Sequence, residues 1–352
     1  MGPNDGPVLA ERGVGGTGMP LFNAAAPAAP APASSPAAQN RGIGGTGAPS
    51  LGTGGKAAGN TGIVGAITGF ASVCLNGVVV AYDPATTIDI NGQAETPASL
   101  RVGQVAVIVA GPDKAEGDRL RANSVVIRYE VTGPVSGVAA SSVTVAGQIV
   151  SWDANTRGVR QIQPGDWIAV SGFRNNAGVI TATRIDPAEP GPVTVHGNIA
   201  KTSDGFWIGG LKLDLPRAAP HLRKGEAVTV TGTLNGAVLE VDQIAPDLLY
   251  SDPQAYFGPN VRRLLIQSYA LTVGGAVQFA TGTSISLLQG ALPFQQGGLG
   301  IWSLVRLPGG TLQVIGHFLG ELGAGMSPFI GGPSMGAPMG GGPSPGGGPP
   351  GP

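Results

Sequence analysis

The sequence predicts an all-β chain: a row of small five-stranded barrels between Gly/Pro/Ala-rich segments that form no barrel. Three observations predict it. Gly (61) and Pro (31) are abundant while only 12% of the 352 residues are charged and 5% aromatic, a composition that favours turns over long helices. Short apolar runs alternate with period two, the strand period. A three-block pattern also returns about every sixty residues, the mark of a repeated structural unit.

The segments are taken in chain order. Residues 1–60 are low complexity and expected to be disordered; the Ala24–Ala38 stretch is Ala/Pro-rich, which favours extended chain. Two heptapeptides flank it, Arg12-Gly13-Val14-Gly15-Gly16-Thr17-Gly18 and Arg41-Gly42-Ile43-Gly44-Gly45-Thr46-Gly47. Each spells G-x-G-x-x-G, but Met19-Pro20 and Ala48-Pro49 follow in place of a helix. A dinucleotide site needs a strand before and a helix after. The heptapeptides therefore read as linker or as a short recognition peptide.

Three units follow, expected at 61–130, 131–190 and 191–249. Each opens with a strand: Ile63–Phe70, Val131–Ala139 and Pro192–Ala200. A hairpin comes next. Its apolar positions are Val73/Val143/Phe206, Leu75/Val145/Ile208, Val80/Val150/Leu213 and Tyr82/Trp152/Leu215, around Asn-Gly, Ala-Gly or Gly-Gly. Asn-Gly and Gly-Gly suit a primed two-residue turn. The second block is Leu100-Arg101-Val102-Gly103-Gln104, Ile162-Gln163-Pro164-Gly165-Asp166 and Leu222-Arg223-Lys224-Gly225-Glu226. The third carries Leu120/Ile180/Leu239, Ala122/Ala182/Val241 and Val125/Ile185/Ile244. Five strands that close on themselves bury alternate side chains and leave few edges. The first choice of topology is an OB-type barrel, with an SH3-like barrel second. Residues 250–323 form a strand-rich, divergent fourth unit without the Leu-x-x-Gly block. Residues 324–352 read as a disordered Gly/Pro-rich tail.

Gly62-Ile63-Val64-Gly65-Ala66-Ile67-Thr68-Gly69-Phe70, Ser72-Val73-Cys74-Leu75-Asn76-Gly77 and Leu100-Arg101-Val102-Gly103-Gln104 resemble the bacterial family called domain of unknown function 5666. The resemblance spans Thr61 to Leu249, strongest in the first unit. It implies tandem OB-like barrels on exported or envelope proteins and supplies no catalytic residue. No charged and then apolar leader opens the sequence as written. The compartment reads as periplasmic or extracellular if a signal lies upstream of this start, and as cytoplasmic otherwise.

No enzyme motif stands out, and no catalytic residue, cofactor or metal site is expected. His196, His221 and His317 lack metal-ligand spacing and read as surface or barrel-rim side chains. Cys74 is alone, which excludes an intramolecular disulfide and a multi-thiolate zinc site. Asp83 and Asp153 follow the hairpins as turn residues. Net charge is −1 with no dense Lys/Arg stretch, which disfavours nucleic acid. No apolar run is long enough for a membrane-spanning helix. The candidate binding residues are Trp167 and Trp207, each out of phase with its strand's core residues and so expected to face outward. Outward aromatics suit stacking on sugars or bases, or packing between neighbouring units. The sequence names no partner; a glycan and a protein stay open. It predicts a string of structural or interaction modules.

Overall fold

Turns cut the apolar alternations into short strands, and a computed structural model shows how they pair. It describes residues 59–70, 72–84, 86–113, 119–217, 221–289 and 298–319. The expected disordered leader (to residue 58) and the tail lie outside the described residues.

In the first unit the strands are β1 (Asn60–Phe70), β2 (Val73–Leu75), β3 (Val78–Ala81), β4 (Thr87–Ile90), β5 (Gln93–Glu95), β6 (Val105–Pro112) and β7 (Leu120–Arg128). The ring closes in the order β1-β2-β3-β7-β6-β1, with β3 parallel to β7. The second unit repeats it with β8 (Val131–Ala139), β9 (Ser142–Val145), β10 (Gln148–Ser151), β11 (Trp167–Arg174) and β12 (Ile180–Pro187). In the third, β13 (Val193–Asn198) and β14 (Ala200–Thr202) act as one bent first strand. They are followed by β15 (Gly205–Ile208), β16 (Leu211–Asp214), β17 (Ala227–Asn235) and β18 (Val238–Pro246). A parallel pairing of third and fifth strands, with the first closing on the fourth, is the OB order; it excludes the SH3-like alternative.

Two short helices, α1 (Leu248–Ser251) and α2 (Pro253–Phe257), lead to β19 (Val261–Val273), β20 (Ala276–Phe279), β21 (Ser284–Ser286), β22 (Gly298–Arg306) and β23 (Leu312–Leu319). This unit follows the same order. Antiparallel pairs join β19-β20-β21 and β19-β22-β23, and a parallel bridge from Leu287 to Val314 closes the ring.

The Leu-x-x-Gly block owes its recurrence to one turn. Gly103, Gly165 and Gly225 have φ of +88°, +96° and +83°, the third position of a type II turn, which glycine alone enters without strain. The residue after each glycine accepts, through its side chain, the N–H three residues back: Arg101 to Gln104 (2.7 Å), Gln163 to Asp166 (2.9 Å) and Arg223 to Glu226 (2.9 Å). Each turn is then pinned to the first strand by a reciprocal backbone pair, Ile67 with Gly103 and Gln104, Val135 with Gly165 and Asp166, Ile199 with Gly225 and Glu226. At the hairpin turns, Asn76-Gly77 and Ala146-Gly147 both adopt two positive φ values, whereas at Gly209-Gly210 only Gly209 does.

The units are fused, which the bead-string expectation did not include. β1 pairs with β19 as well as with its own barrel, and β8 pairs with β13. Between the first two barrels, Thr183 Oγ1 donates to Gly103 O (2.6 Å) and Arg184 to Val102 O (3.0 Å). One core cluster runs through barrels two and three; a second joins barrel one and the fourth unit and takes in Phe173 of barrel two. No helix among the described residues is long and apolar enough to cross a membrane.

Candidate functional site

A cleft lies where barrels two and three meet, with a volume of about 1040 Å³, the upper end of ligand-site sizes. Its walls come from equivalent parts of both barrels. Barrel two contributes the β9–β10 hairpin and the β11–β12 loop (residues 175–179); barrel three contributes the Gly209-Gly210 turn and the β17–β18 loop. OB barrels bind ligands on the face of their second and third strands and with the loops around it. Gly178 and Gly236 leave open space at the cleft, where an added Cβ would meet nothing, whereas Gly147 and Gly209 let the two hairpin turns pack closely against Leu211 and Gln148. Apart from Arg174, the polar lining among the described residues is neutral: Ser136, Thr144, Gln148, Asn175, Asn176 and Asn198, with no carboxylate and no aromatic ring. Asn175 Oδ1 accepts from Ala177 and Val179 (3.0 and 3.1 Å), which shapes the loop.

The one charged group in this lining is Arg174, and its hydrogen bonds run inward. Nη1 donates to Gln148 Oε1 (3.0 Å) and Gly178 O (2.8 Å), and Nη2 to His196 O (2.6 Å). Arg174 thereby links the cleft to a buried cluster of ionisable groups drawn from barrels one, two and three and from helix α1. Arg128 ends β7, Glu130 stands between barrels one and two, His196 is on β13, Asp247 follows β18 and Tyr250 is in α1. Arg128 bonds Glu130 (2.9 Å) and Asp247 (2.5 Å), with its guanidinium over the Tyr250 ring at 4.2 Å. Tyr250 donates to Glu130 (2.6 Å), while His196 Nδ1 meets Asp247 (3.2 Å) and Thr229 Oγ1 (2.8 Å). The Arg174–Glu130 pair is looser, at 4.0 Å.

Burial opposes ionisation of Asp247, but the Arg128 charge and the His196 hydrogen bond outweigh it and hold the carboxyl well below its usual range. Burial, helped by Arg128, pushes the His196 imidazole below its ordinary value. Burial and the Glu130 charge push the Tyr250 hydroxyl far up. The reading of His196 as a surface or rim histidine is therefore corrected: it sits in the joint, 15% exposed. Such an arrangement fixes geometry. Arg128, Glu130, Asp247, His196 and Tyr250 are engaged chiefly with one another, and Arg128 and His196 also border a cleft of about 590 Å³.

Trp167 is half-buried, packs on the core shared by barrels two and three, and borders a separate cleft of about 380 Å³. Trp207 is half-buried on β15 under Lys212, whose Nζ lies 5.8 Å from the ring, and its buried indole N–H has no partner. The structure does not bring the two together, and neither lines the large cleft. His317 stacks on the buried Trp302 at 5.4 Å. Asp83 and Asp153 each close a turn with a threonine three residues on. Among the described residues no group of three or more His, Cys, Asp or Glu side chains could hold a metal ion. Sequence reasoning missed Arg128, Glu130, Arg174, Asp247 and Tyr250. One signal was available: each charged member lies in or beside an apolar strand of a chain poor in charge.

Residues 132–186, the second barrel, match the model of the family described as domain of unknown function (DUF5666). The match falls on the second unit, although the resemblance read from the sequence was strongest in the first. No curated protein matches the chain. Among solved structures, the chain described as drosophila Unr CSD456 is 11% identical, covering 64% of this chain and 79% of its own, with a TM-score of 0.15. So low a score carries no argument.

Proposed function

We propose that this protein is a non-catalytic binding scaffold in which four OB-like barrels act as one body and the cleft between barrels two and three takes a neutral oligosaccharide. The observation that carries the reading is the cleft's polar lining: apart from Arg174, amide and hydroxyl side chains, set among apolar ones such as Val135, Ile149 and Leu234, on the face and loops that OB barrels use for binding. Neutral hydrogen-bonding groups match sugar hydroxyls. Nucleic acid would ask for stacking rings and a basic groove, and the cleft offers one internally bonded guanidinium. An envelope setting belongs to the same proposal, supported by the resemblance to a family carried on exported proteins. A second reading, glycan stacking on Trp167 and Trp207, draws support from the smaller cleft beside Trp167.

Calorimetric titration with a library of neutral oligosaccharides tests the proposal. Ala177 is exposed on the cleft loop, so Ala177→Trp fills the cleft without touching a core. The expected result is binding by the native chain that weakens at least about tenfold, or 1.4 kcal/mol, in Ala177→Trp and is unchanged in Trp167→Ala. Binding that survives Ala177→Trp but is lost in Trp167→Ala would move the site to the tryptophans. No binding across the library would reject the oligosaccharide reading.

A further inference from the structure

The duplicated heptapeptide has no role in the reading above, and a third cleft offers it one. That cleft, about 590 Å³, lies between barrel one and barrel three. One wall is the β4–β5 hairpin, an insertion into barrel one; among the described residues, no hairpin occupies the corresponding stretch of barrels two and three. Among the described residues β5 pairs only with β4, so its outer edge is open there, and Gln93, Ala94 and Glu95 are all exposed. An open edge beside a groove is the geometry for adding an extended strand. Asp89 brings a carboxylate to the wall; Val107, Val126 and Leu249 bring apolar surface, and Tyr256 an exposed ring. Arg128 also reaches this cleft, but Glu130 and Asp247 already hold its charge.

We propose that the segment Arg41–Gly47 of this chain docks in this cleft as an added strand along β5, with Arg12–Gly18 as an alternative copy of the same ligand. In an extended strand side chains alternate, so Arg41 and Ile43 share one face, as do Arg12 and Val14. The opposite face holds Gly42, Gly44 and Thr46, or Gly13, Gly15 and Thr17. One face therefore presents a cation and a branched apolar side chain at strand spacing, matching Asp89 and the apolar wall. The other is nearly bare, which lets the backbone lie close. The attachment point is favourable. Asn60 donates to Asn260 O (3.0 Å), and Gly62 abuts the ring of Phe257, the neighbour of Tyr256. The twelve steps from Gly47 to Gly59 reach up to about 40 Å when extended.

Hydrogen–deuterium exchange of the full chain, read by mass spectrometry, tests this. Residues 41–47 are expected to exchange at least about tenfold more slowly than the Ala24–Ala38 stretch, as docked backbone does. Asp89→Arg should abolish that protection, and adding Arg12→Glu with Arg41→Glu should restore it. Ile43→Ser with Val14→Ser, which leaves every barrel untouched, should also abolish it. Exchange of β6 and β7 reports whether each variant is folded. Heptapeptides that exchange at the flanking rate in the native chain would overturn the proposal. So would protection that ignores both Asp89→Arg and Ile43→Ser with Val14→Ser. Protection that rises with protein concentration would contradict docking within one chain and assign the cleft to the segment of a second copy.

Discussion

At the scale of single residues, the arrangement turns on charged groups where a chain of so few charges would be expected to expose them. Arg128, Glu130 and Asp247 are each less than a tenth exposed. Burying a paired charge is seldom a net gain, but removing one partner strands the other, so the cluster specifies where each barrel sits. His196 gives this a pH signature. Its folded value is depressed by burial, so the unfolded chain takes up a proton first as pH falls. The stability that neutral His196 confers is therefore complete above about pH 6.5, the ordinary histidine value, and is lost as pH drops through that value toward the folded one, at about 1.4 kcal/mol per unit of depression. His317, also depressed by burial, acts in the same direction. Urea unfolding at pH 7 and pH 5 should show lower stability at pH 5, with a smaller difference in His196→Gln; an equal difference would place the titrating group elsewhere. In the sequence only the placement of these charges in or beside apolar strands was legible, not their convergence. Alternation locates apolar faces, but which charged residues converge depends on how barrels pack on one another.

At the scale of elements, two devices shape the barrels, a turn in the first three and a bulge in all four, and only the first was legible. The type II turn appeared as Leu-x-x-Gly because glycine is needed at one position and an accepting side chain at the next. A bulge shared by the fourth and fifth strands did not appear. The register shifts at Val109/Ala110, Ser171/Gly172, Thr231/Gly232 and Ser303/Leu304, four equivalent points with no common residue. Bulges bend strands and sharpen twist, which a ring of five needs to close. Backbone pairing carries this requirement, so the fourth unit reaches the same ring order without the Leu-x-x-Gly block. At Gly172 a Cβ would collide with the Thr181 carbonyl oxygen in the facing strand. Gly172→Val should therefore destabilise by about 2–4 kcal/mol through overpacking and a displaced ladder, read as a lower urea midpoint. Gly178→Val, at an open loop position with φ of +81°, should cost only its backbone strain, about 1–2 kcal/mol. Equal losses at the two positions would show that the bulge tolerates a side chain. Trp167 and Trp207 stood out in the sequence because strand phase flags an out-of-register aromatic, but neither lines the large cleft. The cleft was not legible, because Asn175 and Asn176 look like loop residues and Asn198 like a strand end until two barrels bring them to one hollow.

At the scale of the molecule, sixty-residue periodicity predicts separable beads, and the observed contacts describe a single body. Shared ladders join barrel one to the fourth unit and barrel two to barrel three. Thr183 and Arg184 hold barrel one to barrel two through the backbone of its turn. The buried charges join barrels one, two and three, and Tyr250 ties helix α1, which leads to the fourth unit, to them. Clefts between barrels make binding sites only if the barrels keep their places, so the functional reading rests on this rigidity. Differential scanning calorimetry of the full chain tests it most directly. One body predicts a single transition with van't Hoff and calorimetric enthalpies in a ratio of about 1. Separate transitions, or a ratio near about one quarter as expected for four barrels melting independently, would contradict it.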